Sequence, residues 1–340
     1  MLRIAVDAMG GDFAPLEIVA GAVQAAKHLA AVERIFLIGD QSAIERELLR
    51  HGPVSPKIEI RHASETVDMD ESPASAIRRK RDNSISRAVD MVKAGEADAV
   101  LSAGNTGAMV VAATLKLRTL QGVSRPAIAT VMPTQDRPVL LLDAGANAMC
   151  DAAMLLQFAI MGSVYSREVL GQPRPVVGLL SIGGEESKGN DTTLGAFPLL
   201  KSADEQGLIS FRGNVEGHDI FRGETDVVVC DGFTGNVVLK TSESASRAIT
   251  YWMKREFTAN PLRMFGARLL RGALRSMKRR MDPDLHGGAP LLGVNGVCII
   301  THGSSHAKGI FHAIRVASEA VGHQINDRMV NAIGKASNIA

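Results

Sequence analysis

The stretch Asp226-Val227-Val228-Val229-Cys230-Asp231-Gly232-Phe233-Thr234-Gly235-Asn236 decides the fold class. Its first part is short, β-branched and almost continuously apolar, which is how a strand buried on both faces reads. Its second part supplies a carboxylate, two glycines, Thr and Asn, the residues of a tight turn and a helix start. A helical pattern then runs over Gly235–Glu256. Strand, glycine turn and helix in that order make one βα unit.

The unit recurs outward in both directions. Strands are expected at Arg3–Asp7, Ile35–Gly39, Lys57–Arg61, Ala99–Ser102, Ala127–Val131, Val139–Asp143, Val176–Ser181, Asp226–Cys230 and Val297–Thr301. Helical spacing covers Pro15–Leu29, Ser42–Arg50, Gly107–Leu117, Met149–Tyr165 and Ala307–Val321. The alternation predicts a doubly wound α/β fold, a mostly parallel sheet inside an α/β/α sandwich. The rhythm breaks at Glu71–Lys80 and Asn260–Gly288. No repeat or linker divides the chain, so a single α/β domain over residues 1–340 is expected.

Composition excludes several classes. Hydrophobic residues are 46% and charged residues 22% of the 340, which rules out wholesale disorder. The formal net charge of +2 argues against a globally basic nucleic-acid binder, and 4% aromatics against a base-stacking platform. The three cysteines, Cys150, Cys230 and Cys298, form no CxxC pair, so no disulfide framework or zinc knuckle is expected and a reducing cytoplasm fits best. The start of the chain does not read as a signal peptide, and no window is apolar enough to span a membrane.

Special residues gather where the strands end. The turns are Asp7–Asp12, Ser102–Gly107, Asp143–Asn147, Ser181–Asn190, Asp231–Asn236 and Thr301–Ser305. Ligands of doubly wound sheets bind beyond the carboxyl ends of strands. Glycine lets a ligand approach the backbone, and free amides at a helix start favour an anion such as phosphate. Any one such turn is equally explained as a helix cap; together they predict an anion pocket assembled from several loops. Neither a P-loop nor GxGxxG is present.

Lys188 is the only basic residue of the Gly183–Asn190 loop and could neutralise a phosphate or an oxyanion. Asp231 could orient a nucleophile or simply form its turn, and Asp7, Asp12 and Asp143 share that ambiguity. No ligand spacing demands a metal; His302 and His306 lack a completing carboxylate. Cys230 reads as a small buried hydrophobe. No GxSxG elbow supports a hydrolase triad.

The stretch 257–281 carries seven basic residues and no acidic one. Leu262, Phe265 and Leu269 recur at helical spacing beside Arg263, Arg268, Arg271, Arg275 and Lys278. A protruding basic amphipathic helical segment is expected there. It suits an anionic membrane surface or an acidic protein partner, and a solvated core or dimer helix explains it as well.

Taken together, Asp7-Ala8-Met9-Gly10-Gly11-Asp12, Ser102-Ala103-Gly104-Asn105-Thr106-Gly107-Ala108, Gly183–Asn190 and Asp231–Asn236 resemble the signature loops of the bacterial phosphate acyltransferases of phospholipid synthesis. Leu292-Gly293-Val294-Asn295-Gly296 with His302-Gly303-Ser304-Ser305 resembles their C-terminal signature, so the likeness runs from Leu2 to about Ala332. The resemblance implies reversible transfer of a fatty acyl group from acyl carrier protein to inorganic phosphate, without a cofactor. It implies a homodimer in the cytoplasm, peripherally associated with the inner face of the cell membrane, that passes acyl phosphate to a membrane-bound glycerol-3-phosphate acyltransferase. It also implies a fold similar to phosphate acetyltransferases and the isocitrate dehydrogenase group. An acetyl-coenzyme A type phosphate acyltransferase or an isocitrate-type dehydrogenase is the alternative on such a fold, and a non-catalytic partner-binding scaffold is a further one.

For that reaction Lys188, Asp231 and Asn236 are the expected catalytic residues. Lys188 would hold phosphate or the oxyanion, Asp231 would position the nucleophile or order the Gly232–Asn236 loop, and Asn236 would donate a hydrogen bond. The expected phosphate and substrate contacts are Asp7, Gly10, Gly11, Asn105, Thr106, Gly107, Asn147, Gly184, Asn190, Gly232, Thr234 and Gly235. Contact with membrane or carrier protein falls to Leu262, Arg263, Phe265, Arg268, Leu269, Arg271, Arg275 and Lys278.

Overall fold

The structure is a computed structural model and describes residues 2–280, 284, 287–336 and 338–339. The strands are β1 (Leu2–Asp7), β2 (Val32–Gly39), β3 (Ile58–His62), β4 (Ala99–Ser102), β5 (Ala127–Met132), β6 (Val139–Leu142), β7 (Val176–Leu180), β8 (Ser210–Val215), β9 (Val227–Val229), β10 (Ala289–Leu292) and β11 (Val297–Ile300). The helices are α1 (Leu16–His28), α2 (Gln41–Leu49), α3 (Pro73–Arg79), α4 (Ser84–Lys93), α5 (Thr106–Lys116), α6 (Ala152–Glu168), α7 (Asp191–Glu205), α8 (Gly232–Phe257), α9 (Pro261–Leu269), α10 (Arg271–Arg280), α11 (Ala307–Gly322) and α12 (Ile325–Lys335).

All strands join one 11-stranded sheet, in the order β3-β2-β1-β4-β11-β10-β5-β6-β9-β7-β8. Alternating side chains of each strand reach cores on opposite faces. Ile4 and Val6 point into a core shared with α1, α6 and α11, whereas Ala5 points into one shared with α3, α4 and α5. Val227 and Val229 enter the first core, and Val228 and Cys230 a smaller third one. Burying each such valine contributes about 1.5–3 kcal/mol. The doubly wound, mostly parallel sheet therefore follows from the apolar runs.

One feature departs from the simplest version of that fold. β10 is antiparallel to β11 and to β5, and β5 is antiparallel to β6. β6, β9, β7 and β8 run parallel to one another, and therefore opposite to β1–β4. The glycine turns thus fall into two sets rather than lying along a single edge. One set follows β1, β4 and β11; the other follows β6, β7 and β9.

The basic stretch is also more broken than its periodicity predicts. α8 ends at Phe257, and Asn260 and Pro261 start a new helix, the Asn260 carboxamide oxygen accepting the Arg263 N–H at 2.8 Å. A further break at Leu270 separates α9 from α10. Only Gly232 and Gly235 of the 26-residue α8 are buried, and no residue of α9 is. No helix among the described residues is long and apolar enough to cross a membrane.

Candidate functional site

The two sets of turns meet at a cleft of about 400 Å³. One wall is the beginning of α5, with Thr106, Gly107, Val110 and Val111; the other holds Ile128, the turn after β6 and Asn236 of α8. α5 therefore starts at this cleft, where the positive end of its dipole favours an anion, and the first turn of α8 brings the Asn236 side chain to the opposite wall.

Each helix start is built by a local cap. The Asn105 carboxamide oxygen accepts the Ala108 N–H at 2.9 Å. The Asp231 carboxylate accepts the Thr234 N–H at 2.7 Å and the Thr234 hydroxyl at 3.1 Å. Asp231 thus orders the turn that carries Asn236. The backbone amides of Thr106 and Gly107 have no acceptor among the described residues and line the cleft.

Asp143 is the hub beneath the second wall. It is fully buried, yet five N–H groups point at it. Oδ1 accepts from Ile128, Gly145 and Ala146 at 3.0, 3.0 and 2.9 Å, and Oδ2 from the backbone and side chain of Asn147 at 2.7 and 2.9 Å. Burial pushes the Asp143 carboxyl up, and the hydrogen bonds from Ala146, Asn147 and Gly145 oppose it. The Gly232 N–H donates to the Asn147 carbonyl at 2.7 Å, locking the α8 turn onto this hub. There is no room for a side chain here: a Cβ at Gly232 would lie 2.6 Å from the Asn147 oxygen, and one at Gly235 would collide with the Asp143 carbonyl.

A second buried carboxylate organises the other set. The Ser102 hydroxyl donates to Asp7 Oδ2 at 2.7 Å, and the Met9 N–H to Oδ1 at 3.1 Å. Burial raises the Asp7 pKa, against hydrogen bonds from Ser84, Ser102, Met9 and Gly10. A Cβ at Gly10 would meet the Gly104 nitrogen at 2.6 Å, so the first and fourth strand ends touch through glycine. Gly11 takes φ +102°.

Several expected contacts sit elsewhere or are already engaged. The Asn105 side-chain N–H groups donate to the carbonyls of Asp68, Met69 and Glu71 at 3.2, 3.1 and 3.0 Å. Its donors hold that loop over the start of α5 instead of facing the cleft. Lys188, Gly184 and Asn190 are exposed, outside the cleft lining. The Asn190 carboxamide oxygen caps α7 by accepting the Thr193 N–H at 2.9 Å. Two residues further, the Thr192 hydroxyl donates to the Cys150 carbonyl at 3.2 Å, which ties the Lys188 loop to the turn after β6. Lys188 itself forms no ion pair among the described residues.

The thiols do not read as nucleophiles. Burial, helped by the Asp143 charge, pushes Cys150 up to about 12, and burial raises Cys230 well above its ordinary value and Cys298 to about 12. Sequence reasoning left out Val110, Val111, Ile128 and Ala144, because nothing distinguishes a cleft-lining valine from a core one along the chain. It also left Asp143 ambiguous, although a carboxylate between a fully apolar strand and Gly145 was the available signal. A larger cavity, about 800 Å³, lies around Gln157 and Lys335 between α6 and α12, and none of the glycine turns after the strands lines it.

On the arm, Leu262, Phe265 and Leu269 are 80%, 61% and 73% exposed. Arg263 pairs with Glu256, while Arg268, Arg271 and Arg275 are exposed. The side chain of Lys278 lies outside the described residues, as does Met281.

Comparison with known proteins follows the same outline. The family model described as "Fatty acid synthesis protein" matches residues 2–328. A phosphate acyltransferase of Thermosynechococcus vestitus is 51% identical over 329 residues, covering 96% of this chain and 94% of that protein. One from Desulfitobacterium hafniense is 50% identical over 321 residues, covering 94% of each. The chain belongs to the phosphate acyltransferases. Its membership makes it an acyltransferase of lipid synthesis. A phosphotransacetylase from Streptococcus pyogenes superposes with a TM-score of 0.63 at 16% identity, covering 94% of each chain, which shows that the phosphate acyltransferase fold extends to that group.

Proposed function

We propose that the protein transfers a fatty acyl group reversibly from acyl carrier protein to inorganic phosphate, giving acyl phosphate for phospholipid synthesis. The observation that carries this reading is the cleft where α5 begins, with the Thr106 and Gly107 amides free and Asn236 of α8 on the opposite wall. Phosphate seated there faces the positive end of α5. Its dianion is abundant at neutral pH and attacks the thioester carbonyl directly, so no acyl-enzyme is needed. Loop amides and Asn236 stabilise the oxyanion, and Lys188 swings in from its exposed loop to neutralise charge. Asp231 acts by holding the turn of Gly232, Thr234, Gly235 and Asn236. Proximity of the two substrates supplies much of the acceleration. Gly10, Gly11 and Asp7 shape the neighbouring turn, and Asn147 fixes the hub.

The exposed arginines of α9 and α10 suit the acidic carrier protein, and the apolar residues between them suit an anionic membrane surface. In this reading the enzyme is a homodimer in the cytoplasm that works against the inner membrane face and hands its product to the membrane-bound glycerol-3-phosphate acyltransferase.

The test is incubation of the pure protein with palmitoyl-acyl carrier protein, with and without inorganic phosphate, following free thiol. Phosphate-dependent release together with hydroxylamine-trappable acyl phosphate is expected. Release without phosphate would make it a thioesterase; release only from coenzyme A thioesters would move the donor to coenzyme A.

A further inference from the structure

The cleft has more apolar surface than phosphate needs. Past the amides of Thr106 and Gly107, its wall is Val110 and Val111, and Ile128 and Ala144 also line it. Gly107, Val111 and Leu115 are spaced four residues apart, so they share one face of α5. At the polar end the Pro73 ring closes over Gly107, where a Cβ would lie 2.5 Å from it; Val111 is half-buried on the open cleft, and Leu115 is 67% exposed one turn further on. Leu239 of α8 packs against the same core as Val110 and Val111. The result is an apolar strip of Val110, Val111, Ile128 and Ala144 that begins at an anion-binding helix start, with Leu115 outside the lining. Val110 and Val111 pack against that core on one side and keep part of their apolar area open to the cleft on the other.

An occupant must match both ends: an oxyanion or anionic head and a long unbranched apolar tail. A fatty acyl thioester and its acyl phosphate product have that shape; phosphate, an acetyl group or a dinucleotide does not. We infer that the acyl chain of the donor lies in the cleft against Val110, Val111 and Ile128, with its carbonyl at the Thr106 and Gly107 amides, and that Val110 and Val111 set the accepted chain length. This rests on the proposed transfer from acyl carrier protein to phosphate.

The test compares kcat/KM for octanoyl-, lauroyl- and palmitoyl-acyl carrier protein in the wild type, Val111→Phe and Val111→Leu, with folding checked by thermal unfolding. A bulkier side chain shortens the strip, so the palmitoyl-to-octanoyl ratio is expected to fall by at least about tenfold in Val111→Phe, in line with the discrimination that a methylene or two provides in an apolar pocket. Val111→Leu is expected to fall between. Should Val111→Phe fail to fold, Val111→Leu and Val110→Leu carry the comparison. Folded variants that keep the wild-type ratio overturn the assignment of the strip. Wild-type enzyme that releases no thiol with phosphate from any of the three donors overturns the underlying reaction instead, and the occupant with it.

Discussion

The Asp143 carboxylate takes both the backbone and the side-chain N–H of Asn147, at 2.7 and 2.9 Å, on a single oxygen. Asn147 in turn donates its other side-chain hydrogen to the Pro126 carbonyl at 2.7 Å and accepts from Gly232 at 2.7 Å. One buried carboxylate therefore fixes the start of β5, the turn after β6 and the start of α8. Asp143→Ala strips the acceptor from five N–H groups, each of which costs about 1–3 kcal/mol if left unpaired. A loss of at least about 3 kcal/mol in urea unfolding is expected, together with loss of turnover. A change under about 1 kcal/mol would show that water replaces the carboxylate.

Glycine is required at some turns and free at others. Gly235→Ala forces its new methyl into the Asp143 backbone carbonyl, which cannot swing aside as a side chain could, and is expected to cost about 1–3 kcal/mol and most of the activity. Gly184 has nothing within 4 Å of where a Cβ would sit, so Gly184→Ala is expected to stay within about 0.5 kcal/mol of wild type. Equal melting temperatures for the two variants would contradict the packing described at α8.

Asp82 offers a pH signature. Its carboxylate accepts the Ser64 N–H and hydroxyl at 3.0 and 2.6 Å and pairs with Arg87. The Ser64 bonds, then Arg87, lower its pKa from 3.8 to about 2. The unfolded chain then takes up the proton first, so this contribution is complete above pH 3.8 and is lost as pH falls toward 2. The group is half-buried with 32% of its side chain accessible, so solvent screens part of the effect and keeps it small. Asp82→Asn should flatten the decline of the urea midpoint over that window and leave the slope at higher pH alone.

With Cys150 held up at about 12, the thiol stays protonated at neutral pH. Cys150→Ala is expected to keep turnover within about threefold of wild type, and acid-quenched enzyme should carry no hydroxylamine-sensitive acyl group. A loss of about a thousandfold would restore the covalent route that direct attack by phosphate replaces.

Lys188→Ala separates charge neutralisation from fold. Its side chain is exposed and makes no ion pair among the described residues, so the melting temperature should not move. Thiol release at saturating donor is expected to fall by about a hundredfold. Wild-type turnover in a folded variant would remove Lys188 from the mechanism.

Much of this was readable along the chain because it is local. The apolar run Val227–Val229 and the cap at Asp231 are set by neighbours in sequence, and both appear as expected. β8 escaped notice because Arg212, Gly213 and Asn214 break any apolar run on an outer strand, and β10 because Pro290 discourages a strand assignment. The reversal of the second half could not be read, since strand direction is decided by partners far apart in sequence. The same holds for Asn105: its type predicts a hydrogen bond, but only the position of residues 68–71 shows that backbone carbonyls receive it.

The place of β10 and β11 in the sheet sets an order of events during synthesis. Both lie late in the chain, yet they fill the gap between β4 and β5. Until they leave the ribosome, β4 and β5 each present an unpaired edge, and the two halves of the sheet have nothing to join them. The nascent chain must therefore carry two open edges for most of its translation, which is the condition under which strands pair with the wrong partner. The strands that close the sheet are made after all the others, so a product truncated before them would be left with two fragments of a core rather than a shortened enzyme.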